Sequence, residues 1–336
     1  MVVYFRNKLY DWNILDSKSF KIPTIAIGNI AVGGTGKTPV ASYIINLLHQ
    51  NNLDVGFVSR GYKRKSEGMV VADEKTLPLE IGDEPYQIFT KHPAIKLAVS
   101  KNRIPAIEKL VSKNSNLRAV VLDDALQHRK VKAGINILLT DYNNLYPKDY
   151  YLPAGELRDH KMRAKQVEII VVTKCPTDLS EQKQTAIIDT LAIDLKFQKV
   201  FFSGIQYNRL SNIFSEEFLP LEKIKEAEKI ILVTGIAKPQ MLFNKISEYN
   251  KEITHFNYPD HHQFIAKEIN QISEMFNNFV SQFTTLVLTT EKDAPRLLEY
   301  KKQLQSIPIR AVEIETYFIK DQQIFDNQIL NYVREN

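Results

Sequence analysis

Eight residues, Ala31-Val32-Gly33-Gly34-Thr35-Gly36-Lys37-Thr38, have the types and spacing of a polyphosphate cradle. Glycines at 33, 34 and 36 permit backbone angles that side chains forbid, so successive N–H groups can converge on phosphate oxygens. Lys37 then supplies the cation that reaches β- and γ-phosphates, and the Thr38 hydroxyl suits Mg²⁺. The usual pattern, G-x-x-x-x-G-K-[ST], begins with glycine where this chain has Ala31. That position need not touch a nucleotide. Without a ligand, the same segment is a glycine-rich strand-to-helix turn. The phosphate reading is favoured because the motif needs a strand before it and a helix after it. Residues 23–28 (PTIAIG) are a short apolar run, and residues 38–50 (TPVASYIINLLHQ) carry apolar positions at helical spacing.

A second element, 119–124 (AVVLDD), is an apolar run ending in Asp123 and Asp124. A phosphate-loop fold places its magnesium-side carboxylate at such a strand end. Alone it reads as a strand closing in a polar turn; beside a phosphate loop, metal binding is the better reading. Asp83 and Glu84 (GDEP, 82–85) and the pair His261-His262 (PDHH, 259–262) are further acid–base candidates. Alone, Asp83 reads as a loop acid after a glycine, and His261 as a helix-start or surface residue. Spacing does not choose between the two histidines. Thr173-Lys174-Cys175-Pro176 has the outline of a guanine-reading N/T-K-x-D motif, but proline stands where the acid belongs. This speaks against a GTPase and leaves ATP.

Apolar runs at 55–59, 95–99, 135–140 and 168–173 join the two above in alternation with helix-like stretches. Continuous apolar strands suit a parallel sheet buried on both faces, so the fold class is α/β, a mostly parallel sheet flanked by helices. A second set at 229–235, 285–290 and 308–314 implies a smaller α/β domain. The expected division is a kinase domain over 1–195, a connecting segment over 196–228 and a smaller domain over 229–336 that contributes to the active-site cleft. The chain has 336 residues, and its net charge of +5 is too small to imply nucleic acid. One cysteine, Cys175, excludes a disulfide framework and fits a reducing compartment. No apolar stretch approaches the roughly 20 residues of a membrane-spanning helix. The first ten residues lack the apolar core of a signal peptide. Val2, Phe5, Leu9 and Trp12 form a stripe at helical spacing, which suits either a helix lying on a membrane or one docked on the sheet. No obligate protein partner is inferred.

Taken together, VGGTGKTP, SRGY (59–62), GDEP, DDALQHR (123–129), LPAGELRD (152–159), PDHH and TEKDAPR (290–296) closely resemble, in that order, the tetraacyldisaccharide 4'-kinase family of lipid A biosynthesis. The resemblance runs from about residue 23 to 296. It implies transfer of the γ-phosphate of ATP, with Mg²⁺, to the 4'-hydroxyl of a lipid disaccharide 1-phosphate. It further implies a peripheral location at the cytoplasmic face of the inner membrane, with the N-terminal segment meeting the bilayer. By the same resemblance Asp83 is the catalytic aspartate and His261 its histidine partner. Thr38, Glu84, Asp123 and Asp124 surround Mg²⁺, and Arg103, Gln127, His128 and Arg158 are further site positions. Ala125 replaces the family's glycine and Asp159 its glutamate. A P-loop phosphotransferase or ligase acting on a soluble metabolite is the competing reading from motifs alone.

Overall fold

The computed structural model describes residues 2–12, 14–280 and 284–336. At its centre the PTIAIG run is strand β1 (Thr24–Gly28), buried at all five positions. Ile25 and Ile27 enter one apolar layer and Ala26 the opposite one, as the two-residue period of a strand requires. Helix α1 (Val2–Asp11) precedes it, and helix α2 (Lys37–Gln50) follows the phosphate loop. The remaining elements of the first half are β2 (Asp54–Ser59), β3 (Val70–Val71), α3 (Pro78–Ile81), α4 (Asp83–Lys91), β4 (Lys96–Val99), α5 (Arg103–Lys113), β5 (Leu117–Leu122), β6 (Ile135–Asp141), β7 (Ile169–Thr173), α6 (Glu181–Leu191) and β8 (Lys199–Asn212). Their order in the sheet is β3-β4-β2-β5-β1-β6-β7-β8, parallel except for β3 against β4. Parallel pairing brings the C-terminal ends of β1, β2, β5, β6 and β7 to one edge, the edge where open α/β sheets bind ligands.

The second half contributes β9 (Phe218–Pro220), β10 (Lys229–Thr234), α7 (Gln240–Ser247), β11 (Ile253–Asn257), α8 (Ala266–Val280), β12 (Thr285–Thr290), α9 (Ala294–Leu298), α10 (Lys301–Leu304), β13 (Ile309–Phe318) and α11 (Gln322–Glu335). Here β11-β10-β12-β13 run parallel, and β9 pairs antiparallel with the far half of β8.

The chain divides differently from the sequence expectation. One unit holds the residues up to Ile205 together with Thr316–Asn336; the other is Gln206–Glu315. The expected connector over 196–228 contains a fourteen-residue strand, β8, whose outer half is exposed or half-buried except at Leu210 instead of running apolar. The expected C-terminal domain loses its last helix to the first unit. Phe325, Ile329, Leu330 and Val333 recur at helical spacing along α11 and share an apolar layer with Val40, Ile44 and Leu48 of α2. Tyr43 adds an edge-on contact with Phe325 and a hydrogen bond to Asp326.

Helix α1 docks by its polar residues. Asn7 is buried and donates to Asp159 Oδ1 at 3.0 Å; Asp11 pairs with Arg129 at 2.8 Å; Arg6 donates to the Gln127 carbonyl. Phe5 and Trp12 of the apolar stripe are exposed, as are Ile14 and Leu15 just beyond.

One contact ties α2 to the end of α4: His92 Nε2 lies 2.7 Å from Ser42 Oγ, both buried. Burial, with the charges of Lys91 and His49, lowers the His92 pKa from 6.5 to about 4. The folded protein therefore refuses a proton that the unfolded chain accepts, and stability is lost as pH falls from 6.5 toward 4. Between pH 7 and pH 5 this group alone costs about 2 kcal/mol. His92→Gln, which still offers Ser42 a partner, should lose about that much less stability over the interval in urea titrations. Equal pH slopes for the two proteins would rule His92 out as the source.

Candidate active site

The phosphate loop leaves β1 at Gly28 and re-enters regular structure at Lys37. Gly36 caps α2 in the left-handed region at φ 84°, which costs a glycine nothing and a side chain about 1–2 kcal/mol. A Cβ at Gly33 or Gly34 would meet no atom within 4 Å, so the loop is open on that side. From the other side it is held. Asn29 Nδ2 donates to Thr35 Oγ1 at 2.7 Å, and the Val32 N–H donates to the Glu156 carbonyl at 2.7 Å. Ala31 forms an isolated bridge with Leu157, so this departure from glycine is accommodated by backbone pairing.

Strand β5 pairs with β1 in register, Ala26 against Leu122, which delivers Asp123 and Asp124 beside the loop. Lys37 Nζ lies 3.8 Å from Asp124 Oδ1. Arg158 grips both oxygens of Asp124 and also donates to Asn29 Oδ1 at 2.6 Å. Burial would raise the Asp124 carboxyl, but Lys37 and then Arg158 outweigh it and hold it below the ordinary range. Asp123 accepts from Ser59 Oγ at 2.9 Å, yet burial drives its carboxyl up to about 6, with Asp124 and Glu84 adding to the rise against Lys37. Arg103, the first residue of α5, is buried and donates to the carbonyls of Asp123 and Asp124 at 2.9 and 3.0 Å. Gln127 Nε2 donates to the Asn29 carbonyl at 2.6 Å. Burial, then the charges of Arg103 and Lys130, lowers His128 to about 4. Gln127 Oε1, His128 Nε2 and Arg158 Nε are buried with no hydrogen-bond partner among the described residues.

The sequence candidates of the first unit thus form one connected set, from the phosphate loop through Asp123, Asp124, Arg103, Gln127 and Arg158. Glu84 acts on Asp123 through its charge. Asp83 opens α4 next to Glu84, after Gly82 at φ 92°, where a Cβ would lie 2.8 Å from the Tyr62 carbonyl oxygen. The SRGY and GDEP segments are therefore packed backbone against backbone.

His261 belongs to the second unit. It is not at a helix start: α8 begins five residues later, and His261 sits in a turn at φ 59°. Its Nε2 lies 3.1 Å from Lys292 Nζ, which also reaches Asp260 at 3.2 Å. His262 is differently engaged, 2.8 Å from Glu268 and stacked on Tyr258 at 4.6 Å. Asp293 and Arg296, buried within TEKDAPR, hold this turn: Asp293 accepts from the Gly235 N–H at 3.0 Å, and Arg296 donates to the His262 carbonyl at 2.7 Å. Sequence reasoning gave no role to Asn29, Ser59 or Lys292. Asn29, fully buried just after an apolar strand, was the one with a readable signal.

The residues present fit ATP and Mg²⁺. The loop is open where phosphates would lie, and its cations face carboxylates. Thr38, Glu84, Asp123 and Asp124 are hard oxygen donors, the kind Mg²⁺ prefers. Among the described residues no three His, Cys, Asp or Glu side chains form a ready-made metal cage.

Known proteins resemble this chain along nearly its whole length. The family model for tetraacyldisaccharide-1-P 4'-kinase matches residues 1–334. A tetraacyldisaccharide 4'-kinase of Flavobacterium johnsoniae is 43% identical, covering 100% of this chain and 94% of that protein. Its counterpart from Bacteroides thetaiotaomicron is 42% identical, over 100% and 90%. The crystal structure of LpxK from Aquifex aeolicus in complex with ATP superposes with a TM-score of 0.74 at 26% identity, covering 99% of this chain and 95% of that one. The chain belongs to the tetraacyldisaccharide-1-phosphate 4'-kinase family.

Proposed function

We propose that the network around Lys37 and Asp124 binds the polyphosphate of ATP while Asp83, supported by His261, takes the proton of the acceptor hydroxyl. The enzyme is an ATP-dependent kinase acting on the 4'-hydroxyl of a tetraacyldisaccharide 1-phosphate. One observation carries the assignment: the phosphate-loop lysine and the β5 carboxylate are set 3.8 Å apart by strand register. Loop N–H groups and Lys37 bind and orient the β- and γ-phosphates. Thr38, Glu84, Asp123 and Asp124 would hold Mg²⁺, which when bound neutralises developing charge on the phosphoryl oxygens. The 4'-oxygen forms its bond to the γ-phosphorus, the bond to the ADP oxygen breaks, and the hydroxyl proton passes to Asp83. His261, turned by its left-handed backbone and in contact with Lys292, orients or tunes that carboxylate. Arg103, Gln127, His128 and Arg158 face the acceptor and its charged groups, where unpartnered polar atoms of Gln127, His128 and Arg158 support the assignment.

The exposed Phe5, Trp12, Ile14 and Leu15 support a peripheral membrane contact through the N-terminal segment, at the cytoplasmic face of the inner membrane. Docking by Arg6, Asn7 and Asp11 leaves that apolar side outward.

Lys37→Ala and Thr38→Ala should each lower turnover on the order of 10²-fold or more while leaving the melting temperature intact. Near-wild-type turnover of tetraacyldisaccharide 1-phosphate with either variant would refute the nucleotide site. Asp83→Ala and His261→Ala should each depress kcat strongly, with modest change in ATP affinity. If the two act as a unit, the double variant is scarcely slower than the worse single one; fully multiplicative losses argue against coupling. In liposome flotation, a Phe5→Ser, Trp12→Ser double variant should bind anionic vesicles less than wild type with ATP affinity unchanged. Equal flotation would place the membrane contact elsewhere.

A further inference from the structure

The Thr173-Lys174-Cys175-Pro176 segment, unable to read guanine, has another occupation in the fold. Strands β6 and β7 end side by side, Asp141 paired with Thr173, next to the phosphate loop. Thr173 Oγ1 donates to the Thr35 carbonyl at 2.9 Å. Lys174 Nζ donates to the Gly34 carbonyl and is neutralised by Asp141 Oδ2 at 2.9 Å. Both side chains of the pair are nearly buried, at 11% and 7% exposure. Lys174 itself stands at φ 58°, a conformation that costs a lysine free energy. Burying an ion pair also costs desolvation and by itself is weak evidence of a stability role. Here the expense coincides with two consecutive loop carbonyls held from behind.

We infer that Lys174, Thr173 and Asp141 form a clasp that presets the phosphate loop for a nucleotide β-phosphate. A trans peptide points its N–H opposite to its C=O. With the Thr35 carbonyl tied to Thr173, the Gly36 N–H is turned to the loop's open side, where Gly33 and Gly34 meet nothing. The clasp also keeps loop carbonyls from facing the phosphates, where like partial charges would repel. These are positioning residues, since each acts through the loop backbone. The inference rests on the nucleotide-site reading above and adds residues to it.

The test is nucleotide affinity of the full-length protein, measured by calorimetry with Mg²⁺ and ATP, ADP or GTP. Lys174→Met and Thr173→Val should each weaken all three nucleotides by about tenfold, the worth of one hydrogen bond involving a charged or preset group. The KM for ATP should rise in step while the KM for the lipid acceptor stays unchanged. Lys174→Arg should recover part of the loss. Thr173→Val is nearly isosteric and carries the test should Lys174→Met fail to fold. Unchanged affinity in Thr173→Val and any folded Lys174→Met overturns the inference. So does a selective change in the ATP-to-GTP ratio, which would make Lys174 a base-reading residue. A lowered melting temperature with intact affinity likewise reduces the clasp to a stability element. Wild-type protein that binds no nucleotide would overturn the site reading itself, before any variant is compared.

Discussion

The in-register parallel pairing of β1 with β5 is the constraint on which the first unit's chemistry depends. It matches Ala26 with Leu122, so the chain leaves both strands at the same edge, one as phosphate loop and the other as Asp123-Asp124. A shift by one residue would turn the apolar side chains to the wrong layer and displace Lys37 from Asp124 together. Because both faces of these strands are buried, the hydrophobic cores fix the register, and the register fixes the charges. The adjacent carboxylates tolerate one another only through unlike surroundings. Asp124 is stabilised as an anion by Lys37 and Arg158, while burial pushes Asp123 up to about 6.

What could be read in the sequence was whatever local pattern decides. Fully apolar strands, the glycine spacing of the loop and the acidic end of β5 all announce themselves within a few residues. What could not be read depends on partners far along the chain. β8 pairs on both sides yet lacks an apolar run in its outer half, and α11 belongs with α2 because of Phe325 and Ile329. Asn29, Ser59 and Lys292 matter through hydrogen bonds to distant residues that no periodicity encodes. Between His261 and His262 the sequence alone had no preference. The fold separates them, with Glu268 and Tyr258 engaging one and Lys292 the other.

The N-terminal helix inverts the usual arrangement of an amphipathic element. Among its described residues Asn7 is buried while Phe5 is exposed, as is Trp12 just beyond the helix. Apolar stripes ordinarily seek the core because burial of such side chains gains about 1.5–3 kcal/mol each. Here Phe5 forgoes that gain, and orientation is set by directional contacts to Asp159, Arg129 and Gln127. The replacement of the family's glutamate by Asp159 still leaves a carboxylate able to receive Asn7. Helix attachment and site geometry are joined, since Gln127 contacts both Arg6 and the loop residue Asn29.

Helix α11 follows all of residues 206–315 in sequence but completes the core of the unit that precedes them. Ribosomal synthesis runs from the N-terminus, so α2 emerges long before the helix that covers Val40, Ile44 and Leu48. Until then the nascent first unit displays a greasy surface, while the inserted unit has already been made. Such an intermediate is the kind of client that chaperones shield. A chain that ended before α11 would leave Val40, Ile44 and Leu48 without Phe325, Ile329 and Val333 to cover them.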